Sequence, residues 1–371
     1  MERVSSSTGS VQQPRVLALP RYAQLGASSR LRTFQYLPQL RAAGFEVDVV
    51  PMFDDEYIHK LYGEAAISRT AILRYYLKRI STLSRARAYD IIWFEKELMP
   101  WLPTALEHVL LPSRVKLVLD CDDAVFHRYD AHASSWVRRS LGPKIGELMA
   151  RVDLVVAGNE YLAQHARASG AERVEVVPTV VDLTRYPLSG SRRMDGDVVI
   201  GWIGSPSTAG YLKAVLPAFR DLQHDRRLKF VAIGANPAQV EGTPFTAQEW
   251  REDSEARQLQ QIDIGIMPLP DAPWERGKCG YKLVQYMASG LPVVASPVGI
   301  NTSLVVDGVN GYLASSMEEW TARLAALADD RLLRARMGAT GRAMVEKSYS
   351  LQMQGPRLVE AMRKLLIQKA P

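Results

Sequence analysis

The sequence predicts an α/β protein built from two tandem, Rossmann-like doubly wound domains facing a cleft. Three observations carry that reading. The chain has 371 residues, room for two domains at roughly 100–200 residues each. Short apolar runs alternate with helix-period segments in two successive cycles, the pattern of parallel strands joined by crossover helices. A polar joint at 182–196, containing Pro187, Gly190 and Gly196, separates the cycles.

The elements follow in order. Residues 1–14 hold no apolar run and read as a disordered tail rather than a secretory signal. Arg15–Pro20 is a short buried strand. A Gly/Ser-containing loop leads to an amphipathic helix over Leu31–Ala43, stopped by Gly44. Phe45–Pro51 is the next strand, and further strands are expected at Asp90–Phe94, Val115–Leu119, Leu154–Ala157 and Val174–Val177. The second cycle opens with strand Val198–Ile203, helix Gly210–Leu222 and strand Lys229–Ile233. Short strands at Asp263–Met267 and Pro292–Ala295 follow, with helices at Lys282–Ser289 and Glu318–Ala328. The domains are therefore drawn at 15–185 and 186–350, with 351–371 a terminal helix that packs back on the first domain.

Composition narrows the function classes. Hydrophobic residues are 47% and charged residues 23%, ordinary for a globular chain. Cys121 and Cys279 are the two cysteines, too few for a disulfide framework, and they fit a reducing, cytoplasmic setting. No run of apolar residues is long enough to cross a membrane. The net charge of +6 suits an anionic partner such as a nucleotide, a phosphate or an acidic membrane. No module for reading nucleic acid is present, so that partner class is not expected.

The stretch from Gly277 to Gly311 is the most informative. A glycine-broken loop carrying Lys278, Gly280, Tyr281 and Lys282 runs into a helix. Backbone N–H groups at a helix start, with two ammonium groups, make an anion site suited to a diphosphate. A second turn, 296–302, contains Gly299 and brings backbone close to a ligand. Taken alone, such a loop is more often a turn with a solvated basic face.

The full string changes that balance. Gln285-Tyr-Met-Ala-Ser-Gly-Leu-Pro-Val-Val-Ala, then Gly299, then Asp307-Gly-Val-Asn-Gly-Tyr-Leu, resembles the donor-binding segment of family 4 glycosyltransferases, which have the GT-B fold. Gly201-Trp-Ile-Gly-Ser-Pro-Ser-Thr resembles the strand and loop that open that family's second domain, and places Gly204 and Ser205 at the donor. Asp263-Ile-Gly-Ile-Met-Pro-Leu resembles its strand before the donor loop. Arg30, Arg32, Asp122-Asp123-Ala124, Asn159-Glu160-Tyr161-Leu162 and Pro178-Thr179 resemble a bacterial surface-polysaccharide branch. The resemblance implies a retaining transferase that uses a uridine or guanosine diphosphate sugar, needs no metal or other cofactor, and acts on a saccharide or lipid-linked acceptor.

The sequence departs from the family pattern at the paired glutamates. Counted onto this chain they fall at Gly277 and Gln285, with Glu275 two residues upstream. The family's two diphosphate cations fall at Ser205 and Gly210, so Lys278 and Lys282 are expected to supply that charge. These departures keep two alternatives open: a nucleotide-sugar epimerase of the same fold, and a non-catalytic subunit of a polysaccharide assembly.

In the first domain, Asp120 or Asp122 is expected at the transferred sugar, where the family usually has histidine, and His127, Arg30 and Arg32 on the acceptor side. Asp123 is expected to cap a helix starting at Ala124. A metal reading of Asp-x-Asp is set aside, because lysines supply the cationic charge. Residues 69–87 carry six Arg or Lys and no acid, with Ile72, Leu73, Tyr76, Leu77, Ile80 and Leu83 at helical spacing. The ordinary reading puts that apolar stripe on the sheet. The sharper one makes it a peripheral contact with an anionic membrane on its inner face.

Overall fold

The computed structural model describes residues 13–63, 66–188, 196–225 and 227–367. Most of the predicted tail and the centre of the polar joint lie outside these residues. Among the described residues the chain forms two six-stranded, wholly parallel sheets. The first contains β1 (Arg15–Leu19), β2 (Glu46–Val49), β3 (Ile91–Glu95), β4 (Lys116–Cys121), β5 (Leu154–Ala157) and β6 (Val174–Val176), in the order β2-β1-β3-β4-β5-β6. The second contains β7 (Val198–Ile203), β8 (Leu228–Ile233), β9 (Thr246–Gln248), β10 (Ile264–Met267), β11 (Val293–Ala295) and β12 (Gly311–Leu313), in the order β12-β11-β10-β7-β8-β9.

The central strands are apolar runs because helices cover both sheet faces. On the first sheet, Leu17, Ile92 and Leu119 point into one core, and Val16, Trp93 and Val118 into the other. The final helix, Leu351–Ile367, closes that second core with Leu358, Met362 and Leu365. The chain therefore crosses back to the first lobe after completing the second.

Two predicted helices are broken where the sequence carries proline. The expected helix over 31–43 is three pieces: Ala27–Arg32, a 3-10 turn at Phe34–Tyr36, and Leu37–Ala42. Pro38 lies in the first turn of the last piece, where its missing N–H leaves no bond unmade. Pro217 does the same in the second lobe, dividing Gly210–Val215 from Leu216–Leu222. Strands β9 and β12 were not expected. Each has three residues and lacks the paired valines that marked the equally short β6 and β11.

The topology places the site. Strand order reverses between β1 and β3 in one sheet and between β7 and β10 in the other. Ligands of open α/β sheets bind outside the carboxyl ends at such switch points. In the first lobe the Ser29 and Thr33 hydroxyls donate to the Glu95 carboxylate at 2.7 and 2.6 Å. Those bonds pin the body and the C-terminal end of the first helix to the end of β3. Burial pushes the Glu95 carboxyl up to about 7.

Candidate functional site

Between the lobes lies a cavity of about 640 Å³. From the second lobe it is lined by Gly204, Ser205, Lys278, Gly280, Lys282 and Gln285, and also by Tyr281. From the first lobe Arg30 and Asp122 face it. A smaller chamber of about 380 Å³ adjoins it, lined by Arg21, Tyr22, Tyr62, Lys96 and Arg128 among others. Asp123 lines both and stands at their junction.

The cationic wall is built by the loop that starts helix Tyr281–Ala288. Gly280 precedes that helix with φ +65°, a left-handed conformation that L side chains rarely adopt. This turn puts Lys278 and Lys282 on the same wall of the cavity. The Lys278 ammonium lies 5.7 Å from the Tyr211 ring centroid, and that of Lys282 lies 5.4 Å from the Trp202 ring centroid. Among the described residues, no carboxylate forms an ion pair with either. Burial, with Lys278 close by, pushes the Lys282 ammonium down to about 7, while Asp123 pulls it the other way. An unpaired, partly desolvated ammonium gains most from an anionic ligand.

Gln285 and the far wall are tied together. Its Nε2 donates to the Tyr186 hydroxyl at 3.2 Å, and Tyr186 in turn donates to Glu255. Trp250 Nε1 donates to the other Glu255 oxygen at 2.8 Å. Arg30 of the first lobe stacks on Trp250, its guanidinium 4.8 Å from the ring centroid. Arg30 therefore closes the cavity across the lobes rather than facing solvent. Glu275 is buried and accepts from Tyr211 at 2.5 Å, so its carboxylate does not line the cavity.

Four sequence-predicted residues do not reach either cavity. Asp120 and Arg32 form a fully buried pair, 2.7 Å apart, and Arg32 also donates to the Val177 carbonyl at 2.7 Å. They join helix Ala27–Arg32 to β4 and line neither cavity. His127 is held by Asp130 at 2.9 Å and by the Tyr161 hydroxyl at 2.9 Å, on the outer side of its helix. Gly299 backs onto the main chain of Arg276. Asp123 is also not a cap: the helix there starts at His127, preceded by Phe126.

Lys96 was missed. It follows β3 with φ +62°, uncommon for a residue with a side chain, and its ammonium sits 2.9 Å from Asp122 and 3.4 Å from Asp123. That contact holds the Asp122 carboxyl below the usual carboxylate range despite burial. The available signal was position: Lys96 is the first residue past a switch-point strand. Among the described residues, no group of three or more His, Cys, Asp or Glu is arranged to hold a metal.

Two parallel doubly wound sheets with a cleft at their facing carboxyl ends define the GT-B class of fold. Residues 197–330 match the family model described as Glycosyl transferases group 1. The chain is 28% identical over 240 residues to the D-inositol 3-phosphate glycosyltransferase of Nocardia farcinica, a match covering 54% of this chain and 50% of that one. It is 34% identical over 89 residues to a GDP-mannose-dependent monoacylated alpha-(1-6)-phosphatidylinositol monomannoside mannosyltransferase of Corynebacterium glutamicum, covering 24% of this chain and 21% of that one. The chain thus aligns with half the length of these relatives or less. Among solved structures, HepE of Anabaena with UDP and glucose superposes with a TM-score of 0.70 at 17% identity, over 95% of this chain and 100% of that one. Sucrose-phosphate synthase from Thermosynechococcus elongatus gives 0.69 at 14%, over 95% and 99%. These neighbours share the GT-B fold with this chain, and the family match lies within its second lobe, at residues 197–330.

Proposed function

We propose that this chain transfers a glycosyl group from a nucleoside-diphosphate sugar to a hydroxyl of a second saccharide-like molecule, with retention of configuration. The observation that carries this reading is the pair of ammonium groups, Lys278 and Lys282, on one wall of an interlobe cavity. Two cations there match a diphosphate leaving group, whose negative charge grows as the glycosidic bond breaks. Relatives named for glycosyl transfer, one of them GDP-mannose-dependent, agree with that chemistry.

The donor lies along the second lobe in the larger cavity. The acceptor enters the smaller chamber, where Tyr22 and Tyr62 rings beside charged side chains offer what a polyhydroxylated ring binds. Asp122, kept ionised by Lys96, and Asp123 at the junction then face the reacting centre. Lysines hold the diphosphate, so turnover continues in a metal chelator. A surface-polysaccharide role with a lipid-linked acceptor fits a peripheral membrane contact. Helix Arg69–Ser84 leaves Leu73, Leu77 and Ile80 exposed among its cations, against the ordinary reading that put them on the sheet.

The test is a thermal-shift screen with uridine, guanosine, thymidine and adenosine diphosphates, then incubation with the matching nucleotide sugars. A ligand that binds only the folded state raises its stability. Release of free nucleoside diphosphate supports transfer. Sugar interconversion without release indicates an epimerase, and binding without turnover in the presence of acceptor extract indicates a non-catalytic subunit. No shift with any nucleotide overturns the reading.

A further inference from the structure

Asn159 is 2% exposed and uses both ends of its amide. Its Oδ1 accepts from the Leu162 N–H at 3.0 Å, capping helix Glu160–Ala168 in the first lobe. Its Nδ2 donates across the cleft to the Gly277 and Lys278 carbonyls, at 2.9 and 3.0 Å. The same loop makes two more contacts with the first lobe. Cys279 Sγ approaches the Asp122 carbonyl at 3.0 Å. A Cβ on Gly277 would lie 2.3 Å from the Ala124 Cβ. The loop that carries both ammonium groups of the donor wall is therefore seated by the opposite lobe.

We infer that Asn159 is a positioning residue for the nucleotide site: through the Gly277 and Lys278 carbonyls it sets the loop that presents Lys278 and Lys282, and so couples lobe closure to nucleoside-diphosphate binding. This rests on the reading of the cavity as a donor site. The physical argument is pre-organisation. A loop tied at two successive carbonyls loses its freedom before the ligand arrives, so ligand binding does not have to order it. Without the tie, ordering falls on the binding step.

The two ends of the amide can be separated by substitution. Asn, Asp and Ser cap helices about equally well. Asn159→Ser keeps a cap and removes both donors. Asn159→Asp keeps a cap and sets a carboxylate against two carbonyl oxygens. Thermal melts without ligand and calorimetric titration with UDP and GDP are run on the full chain. The expected result is a melting temperature close to the parent for Asn159→Ser and a lower one for Asn159→Asp, whose carboxylate faces the two carbonyls. Nucleotide affinity falls roughly tenfold for Ser, as for the loss of two neutral hydrogen bonds, and further for Asp. Once an acceptor is known, the loss appears in donor KM more than in acceptor KM.

A purely structural Asn159 gives a different pattern, in which affinity follows melting temperature and Ser binds as the parent does. That pattern overturns the inference, as does unchanged affinity in both variants. If the parent chain binds neither nucleotide, the donor-site reading itself fails, a separate outcome.

Discussion

Lys282 gives the sharpest pH prediction. Its ammonium is held down to about 7 by burial and by Lys278, and the ligand proposed for it is a diphosphate. Binding that ligand favours the charged form, so the complex takes up a proton wherever the free site has lost one. At pH 7 about half the free sites carry the charge. At pH 9 about one in a hundred does, and affinity falls by roughly 50-fold between them. The phosphate's own last ionisation lies near pH 6, so it adds little over this window. Titration calorimetry at pH 7, 8 and 9, in two buffers of different ionisation heat, measures both quantities. Proton uptake should rise from about one half to nearly one per nucleotide bound. Lys282→Met, which keeps the apolar stem, should bind weakly and show no such slope. In the free protein the sign for folding is opposite. The unfolded chain holds this proton up to its ordinary value of 10.5, so stability contributed by Lys282 rises with pH above about 7. Affinity constant between pH 7 and 9, or a Lys282→Met variant that matches the parent, refutes the placement of Lys282 on the diphosphate.

Three further outcomes are expected. Gly277→Ala adds a methyl at the point where the loop meets Ala124; it should weaken UDP or GDP binding in calorimetry while leaving the urea midpoint near that of the parent. Asp120→Ala strands the fully buried Arg32 guanidinium; urea denaturation should show a loss of about 3–5 kcal/mol, the cost of breaking a buried pair, and an unchanged melting curve returns Asp120 to the list of ligand contacts. Replacing Leu73, Leu77 and Ile80 together by Ser should abolish sedimentation with vesicles rich in anionic lipid; parent protein that ignores lipid charge removes the membrane contact.

Much of the architecture was readable because parallel strands buried on both faces are written as unbroken apolar runs, as in Val198–Ile203 and Leu154–Ala157. Lys278 and Lys282 were readable as a pair because both flank the glycine-broken turn that starts one helix, where backbone N–H and ammonium groups gather into an anion site. The burial of Asp120 was not legible, for a reason of distance. It lies two residues before Asp122 at the end of the same strand, and what separates their roles is Arg32, 88 residues away, which covers one carboxylate and not the other. Asn159 entered the sequence reading only within the family resemblance, since its bonds to the donor-side loop span 118 residues and two lobes.

The same distance accounts for the oddest feature of the donor segment. At Gly277, where the family pattern puts a glutamate, the loop lies against Ala124, with the Ala124 backbone nitrogen 2.9 Å from any added Cβ. A glutamate side chain has no room in this closed arrangement. Glu275, two residues upstream, is turned away and bound by Tyr211. A missing acid and a tightly seated loop are therefore one structural solution. In the proposed site the loop offers no side chain at this position and takes fixed main-chain geometry from Asn159. That arrangement leaves the positive charge of Lys278 and Lys282, rather than a carboxylate, as the dominant feature of the wall proposed for the donor.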